Sequence, residues 1–260
     1  MGEAVEDLAA KIGEACRTWG FFSVINHGVP LASEKNHGGG TGIFRIAGGG
    51  EEEGEQRGTI TLQGFITMSI AKTLRIGKGR HAKNTVEHPQ LRLTPERLHG
   101  YFENQASFAR LNYYPPCPKP ELVLGTGGHK DPSALTVLAQ EDVEGLDVLR
   151  KSDGAWVRVK PVPDSFVINV GDVLQVWSND LYESVEHRAE VNAETERYSI
   201  PIFFHPSHDV TMKPLDELVD EQSPAKYPEY KAGKWLNLRM YNNYKKHGFY
   251  MRMTDYKVAA

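Results

Sequence analysis

Along the first twenty residues Val5, Leu8, Ile12, Cys16 and Trp19 recur at three- and four-residue steps, the spacing that lays apolar side chains along one face of a helix. The pattern predicts an amphipathic helix over 4–18, and the apolar run that follows predicts a strand over 21–25 stopped by Asn26-His27-Gly28. There the pattern breaks. Nine of the 21 positions from 38 to 58 are glycine and Glu51, Glu52 and Glu53 sit among them, a composition that buries too little apolar surface to order itself. Disorder is the expectation for this stretch, and the apolar patch 60–76 has neither helical nor alternating periodicity. Order returns at Thr94, an N-cap residue followed by Pro95 at the first helical position. Leu98, Tyr101, Phe102, Gln105 and Phe108 then mark one face of a helix predicted over 95–108.

Beyond it come short segments rich in β-branched and aromatic residues, at 109–114, 134–138, 156–159, 166–170, 173–177 and 198–204, separated by Gly, Pro, Asp and Asn. Many short strands at close spacing imply a sandwich or jelly roll. Ser223-Pro224 and Pro228 introduce a helical tail in which Trp235, Leu238 and Tyr241 are placed to lie against the sheets. The expected fold is therefore mainly β with flanking helices: a double-stranded β-helix (jelly-roll) core, a helical N-terminal region and a C-terminal helix. Residues 1–92 form the N-terminal region, atypical and partly disordered at 33–92, and residues 93–260 form the jelly-roll domain.

Composition narrows the function classes. A chain of 260 residues has room for a sizeable core, and 40% apolar residues, 25% charged residues and a net charge of −4 offer no basic excess for nucleic acid. Cys16 and Cys117 are too few for a disulfide framework and lack zinc-site spacing, which suits a reducing compartment. No leader-like N-terminus and no apolar stretch of membrane-spanning length is seen. A cytoplasmic monomer with no nucleic-acid or membrane partner is the expectation.

Candidate chemistry sits in the β region. In His129-Lys130-Asp131 an extended backbone would send the first and third side chains to one side, where both can reach a metal. Alone the motif is weak, since chance gives roughly one such triplet in every two chains of this composition. His187, 56 positions after Asp131, falls on what should be a late strand of the same barrel. Two histidines and one carboxylate occupy one face of an octahedral Fe(II) and leave positions open, whereas a closed zinc site would need thiolates this chain lacks. Ten residues past His187, Arg197 and Ser199 share a strand face, so that a guanidinium and a hydroxyl can hold one carboxylate.

With these residues in view the chain resembles the plant-type Fe(II)- and 2-oxoglutarate-dependent dioxygenases of the isopenicillin-N-synthase-like superfamily, over residues 4–32 and 94–250. The likeness extends to Trp19-Gly20-Phe21-Phe22, to Asn26-His27-Gly28-Val29, to Asn112-Tyr113-Tyr114-Pro115-Pro116-Cys117-Pro118 and to Asn169-Val170-Gly171-Asp172. The resemblance implies that His129, Asp131 and His187 ligate iron, that Arg197 and Ser199 bind the far carboxylate of 2-oxoglutarate, and that Asn112 and Tyr114 line the cosubstrate pocket. It implies an oxidoreductase of plant specialised metabolism that hydroxylates or desaturates a small organic metabolite with dioxygen, releasing succinate and carbon dioxide. Ascorbate enters as a reductant, and in a rival within the family as a replacement for 2-oxoglutarate, which the pair Arg197 and Ser199 disfavours. No catalytic side chain is expected beyond the metal centre.

Other candidates have plainer readings. Lys130 should face away from the metal. His205 and His208 flank Pro206 past a strand end, where a solvated loop histidine is expected. His27 is expected to be buried and hydrogen-bonded, and Gly125, Gly127 and Gly128 to form a turn that positions His129. A second function remains in play: because the family supplies pocket-buttressing helices where this chain has 33–92, the protein could be a metal- or small-molecule-binding jelly roll of impaired catalysis.

Overall fold

The computed structural model describes residues 2–27, 31–33, 44–46, 97–243 and 252–258. Helix α1 (Gly2–Thr18) bears out the first periodicity. Gly20 closes it at φ +67°, its N–H reaching the Ala15 and Cys16 carbonyls, and a Cβ there would lie 2.6 Å from the Val185 side chain. A left-handed residue with no room for a side chain must be glycine, and it turns the chain into strand β1 (Phe21–Val24).

Short strands β2 (Leu31–Ser33) and β3 (Phe44–Ile46) pair with each other, the second inside the stretch expected to be disordered. The rest of the atypical segment up to residue 96 lies outside the described residues, as do His37, His81, His88 and His247.

The core is a two-sheet sandwich. Strands β4 (Phe108–Ala109), β5 (Asn112–Tyr114), β7 (Leu135–Gln140), β10 (Phe166–Val170) and β12 (Arg197–Phe204) join β1 in a six-stranded sheet of order β1-β10-β7-β12-β4, with β5 also on β12. Facing it, β6 (Leu124–His129), β8 (Leu146–Leu149), β9 (Trp156–Arg158) and β11 (His187–Glu190) form a four-stranded sheet of order β6-β11-β8-β9. Neighbouring pairs in both sheets are antiparallel, giving the expected jelly roll. Phe21, Leu146, Val148, Val167 and Val185 fill the space between the sheets.

Four expectations need correction. Residues 173–177 are helix, not strand: α2 (Asp172–Trp177) is buried at every position, so its β-branched residues show no helical stripe. The helix predicted over 95–108 is, from residue 97 on, a 3₁₀ turn (His99–Phe102) followed by β4; Leu98 and Phe102 are buried as expected, whereas Phe108 is a strand residue. The glycines at 125, 127 and 128 lie within β6 rather than in a turn. In the C-terminal helix α3 (Ala232–Asn243), which follows the short pair β13 (Thr211–Met212) and β14 (Tyr230–Lys231), Trp235 is buried as expected but Tyr241 is exposed, and Leu236 and Arg239 point inward instead. Among the described residues no helix is long and apolar enough to cross a membrane.

Candidate functional site

The register of the smaller sheet builds the first half of the site. His187, first residue of β11, lies directly opposite His129, last residue of β6, and their ring centroids are 4.3 Å apart. Two residues past the end of β6, Asp131 turns under both rings, buried, with Oδ1 3.6 Å from Nε2 of each. One ligand atom from each of the three residues falls within 4.8 Å of the other two.

The unused atoms are each occupied. His129 Nδ1 is 2.8 Å from the Gly127 carbonyl and His187 Nδ1 is 3.1 Å from the Val185 carbonyl. A carbonyl only accepts, so Nδ1 carries the proton in both rings and Nε2 keeps its lone pair for a metal. Asp131 Oδ2 accepts from Thr136 Oγ1 at 2.6 Å and from Asn169 Nδ2 at 2.9 Å, which leaves Oδ1 to face the rings. Two neutral imidazoles and one carboxylate are the donor set of open Fe(II) sites.

The electrostatics keep His129 and Asp131 unprotonated. Burial, with the nearby His187, lowers the pKa of His129 to about 4. Burial pushes the Asp131 carboxyl up, but the two histidines and the bonds from Thr136 and Asn169 outweigh it and hold it below the usual range.

The larger sheet builds the second half. Arg197 and Ser199 of β12 stand opposite Tyr114 and Asn112 of β5, so the four residues predicted to act together are cross-strand neighbours. Asn112 Nδ2 donates to Ser199 Oγ at 3.3 Å, and the Arg197 guanidinium lies 5.2 Å from the centre of the Tyr114 ring. Arg197 is buried; Nε donates to the Val143 carbonyl, Nη2 donates to Gln140 Oε1, and Nη1 has no hydrogen-bond partner among the described residues. A buried cationic N–H without an acceptor is costly, and an arriving carboxylate satisfies it. Burial accordingly lowers the pKa of this guanidinium.

A cavity of about 60 Å³ lies against the triad and reaches Asn112 of the second half, walled by Phe21, Asn112, Thr126, His129, His187 and Phe203 among others. Arg197, Ser199 and Tyr114 are not in its wall; Asn112 and Thr126, which bond to Ser199 and Tyr114, separate them from it. The sequence reading gave no role to Thr136 or Phe21, whose ring meets that of His187 edge-on, or to Arg110, which also lines the cavity. Phe21 and Asn169 belong to the Trp19-Gly20-Phe21-Phe22 and Asn169-Val170-Gly171-Asp172 stretches of the family likeness, which is a sequence signal for them; Arg110 and Thr136 carry none.

Among the remaining histidines, His205 is buried rather than solvated: directly after the end of β12, its ring stacks on that of Phe108. His208 is exposed as expected. His27 is hydrogen-bonded to the Asp164 carbonyl as expected, though only half-buried.

A jelly roll with two histidines and an aspartate converging between its sheets defines a class, the non-haem iron oxygenases that bind metal on a β scaffold. The chain belongs to the 2OG-Fe(II) oxygenase superfamily, whose pattern matches residues 106–206, while residues 1–36 match the N-terminal region of non-haem dioxygenases in morphine synthesis. It is 36% identical to the protein DMR6-LIKE OXYGENASE 1 of Arabidopsis thaliana, over 86% of this chain and 75% of that one. It is 33% identical to jasmonate-induced oxygenase 2 of the same plant, over 85% and 71% of the two chains. The crystal structure of JOX2 in complex with 2OG, Fe and JA superposes with a TM-score of 0.63 at 29% identity, covering 89% of this chain and 81% of that one. The protein is thus a 2-oxoglutarate-dependent dioxygenase that uses Fe(II) and dioxygen to oxidise a small organic molecule. Nothing in the comparisons favours the binding protein of impaired catalysis.

Proposed function

We propose that His129, Asp131 and His187 hold the Fe(II) ion, and that Arg197 and Ser199, with Asn112 and Tyr114 beside them, receive the carboxylate of 2-oxoglutarate far from the metal. The observation that carries this reading is the convergence of two histidine Nε2 atoms on Asp131 Oδ1 while every other polar atom of the triad is bonded away from the centre. Bound together, metal and cosubstrate supply the oxidising chemistry, in which R–H, 2-oxoglutarate and dioxygen become R–OH, succinate and carbon dioxide. The protein's own part is orientation and exclusion of water. Thr136 and Asn169 fix the carboxylate, the two backbone carbonyls fix the imidazole tautomers, and Phe21, Leu138, Leu146 and Phe203 give the cavity an apolar wall. No side chain need act as acid or base.

For the substrate we infer a small metabolite carrying an acidic group. Arg110 lines the cavity beside His129, with Nε donating to Asn112 Oδ1 and no carboxylate paired with it among the described residues. A guanidinium left without a counter-ion at the mouth of a small cavity suits an anion. The free thiols of Cys16 and Cys117 favour the reducing cytoplasm.

The test is to purify the protein anaerobically, add Fe(II) and 2-oxoglutarate, and measure the weak visible charge-transfer band of the chelate in wild type, His187→Ala and Arg197→Ala. Loss of the band in both variants supports the assignment. Absence of the band in folded, iron-loaded wild type overturns it.

A further inference from the structure

The chain that carries His129 and Asp131 is held from behind by an element remote in sequence. Arg239 of α3 is buried at 3% exposure, and its Nη2 donates to the Lys130 carbonyl at 2.7 Å, between the two presumptive ligands. Its Nε lies 3.8 Å from Oδ2 of Asp172, itself 1% exposed. Asp172 completes the loop: its backbone N–H donates to the Asp131 carbonyl at 2.8 Å. Consecutive carbonyls of the segment 130–131 are therefore held by one ion pair, Lys130 by the guanidinium and Asp131 by the amide of the residue that neutralises it.

The neighbouring bonds extend the lacing. Val173 N–H donates to the Ser133 carbonyl at 3.1 Å and Gly171 N–H to the Ala134 carbonyl at 3.0 Å. The start of α2 thus runs along 131–134, and α3 pins both. Trp235, one turn before Arg239 and buried, lies 5.7 Å from the guanidinium, which keeps that side chain from rotating away.

We propose that Arg239 is a positioning residue for the metal centre: by holding the Lys130 carbonyl and the Asp172 carboxylate at once it sets the angle at which Asp131 meets His129 and His187, coupling the C-terminal helix to metal affinity. The proposal rests on the triad being the metal site. The planar guanidinium makes the two contacts from different nitrogens, Nη2 in a hydrogen bond to the Lys130 carbonyl and Nε in a longer charge contact with Asp172, which the single nitrogen of a lysine ammonium cannot reproduce. Outer partners that orient ligating groups set affinity as well as shape.

The experiment uses the full-length apoprotein under anaerobic conditions, titrated with Fe(II) by calorimetry and with Co(II), whose d–d spectrum reports coordination geometry. Wild type, His187→Ala, Arg239→Gln and Arg239→Lys are compared, with circular dichroism and melting curves for each. Arg239→Gln is expected to bind either metal about 10- to 100-fold more weakly, with an altered Co(II) spectrum and a native far-UV signal. Arg239→Lys is expected to weaken binding too, because it keeps the charge opposite Asp172 but offers a single nitrogen. A folded Arg239→Gln or Arg239→Lys with wild-type affinity and spectrum overturns the clamp while leaving the metal site standing. Equal binding by wild type and His187→Ala overturns the site and the clamp together. Should neither Arg239 variant fold, amide exchange of wild type decides: metal binding is expected to slow exchange in α3 as well as in β6 and β11, and protection confined to the strands overturns the proposal.

Discussion

Asn169 donates from Nδ2 to Asp131 Oδ2 at 2.9 Å, across 38 residues of sequence. With Thr136 Oγ1 at 2.6 Å on the same oxygen, it decides which of the two carboxylate oxygens is left for a metal. Thr136→Val keeps the shape of the side chain and removes that donor, so metal affinity should fall about tenfold and the pH at which metal binds should rise, because the bond helps hold the Asp131 carboxyl down. Metal titrations from pH 5 to 8 check it; an unchanged profile would show the orientation to be set elsewhere.

Gly171 in Asn169-Val170-Gly171-Asp172 has a steric reason to be glycine. A Cβ at this position would stand 2.1 Å from the Ser133 carbonyl oxygen and 2.7 Å from its carbon, backbone atoms of the loop that follows Asp131. Gly171→Ala should cost on the order of 2–4 kcal/mol and loosen the metal site. Gly127→Ala, with nothing within 4 Å of the added carbon, should be near neutral. Chemical denaturation of both variants tests the contrast, and equal midpoints would refute it.

Arg197 Nη1 is a buried donor with no partner among the described residues. If the distal carboxylate of 2-oxoglutarate fills that role, Arg197→Ala should weaken cosubstrate binding about 10- to 100-fold, the range for one or two charged hydrogen bonds. Iron binding should change little. Titrating 2-oxoglutarate into the Fe(II) protein separates the two, and a proportionate loss of both would mean that the side chain only supports the fold.

Arg110 gives the substrate reading a separate handle. Arg110→Gln preserves a donor toward Asn112 and removes the positive charge from the cavity, so an acidic substrate should lose affinity by about tenfold or more while 2-oxoglutarate binding holds. A panel of small metabolites matched in shape with and without a carboxylate, followed by coupled succinate release, would read this directly. Indifference of wild type to that carboxylate would end the proposal.

What the sequence disclosed follows from where side chains point. Spacing and strand periodicity pointed to His129, Asp131, His187, Arg197 and Ser199, the family resemblance added Asn112 and Tyr114, and the registers of β6 with β11 and of β5 with β12 bring the two groups together. Residues 173–177 misled because burial on every side erases the stripe that marks a helix. Strand β6 was hidden by its three glycines, and β8, Leu146–Leu149, is too short to show alternation. Arg239 could not be foreseen as an inward residue: a charge beside Leu238 and Met240 reads as solvated, and its contacts with the Lys130 carbonyl and Asp172 exist only in the folded chain.

His205 supplies a pH test at a residue that is not itself a proposed metal ligand, although the effect of burial there is opposed by the nearby Asp131 charge. The ring is buried against Phe108 with Nε2 lacking a hydrogen-bond partner among the described residues, and burial lowers its pKa from 6.5 to about 4. The native state therefore holds the neutral form, and the unfolded chain binds the proton more readily. Stability from this residue is fully present above pH 6.5 and is lost as pH falls through about 4. Over that window it amounts to at most roughly 3 kcal/mol. His205→Phe cannot be protonated and can keep the stacking on Phe108, so the variant should lose less stability than wild type between pH 6.5 and 4. The comparison belongs in the apoprotein, because a bound metal adds its own proton competition at His129 and His187. Melting curves across that range that run parallel in the two proteins would show that His205 takes up its proton without opening the fold.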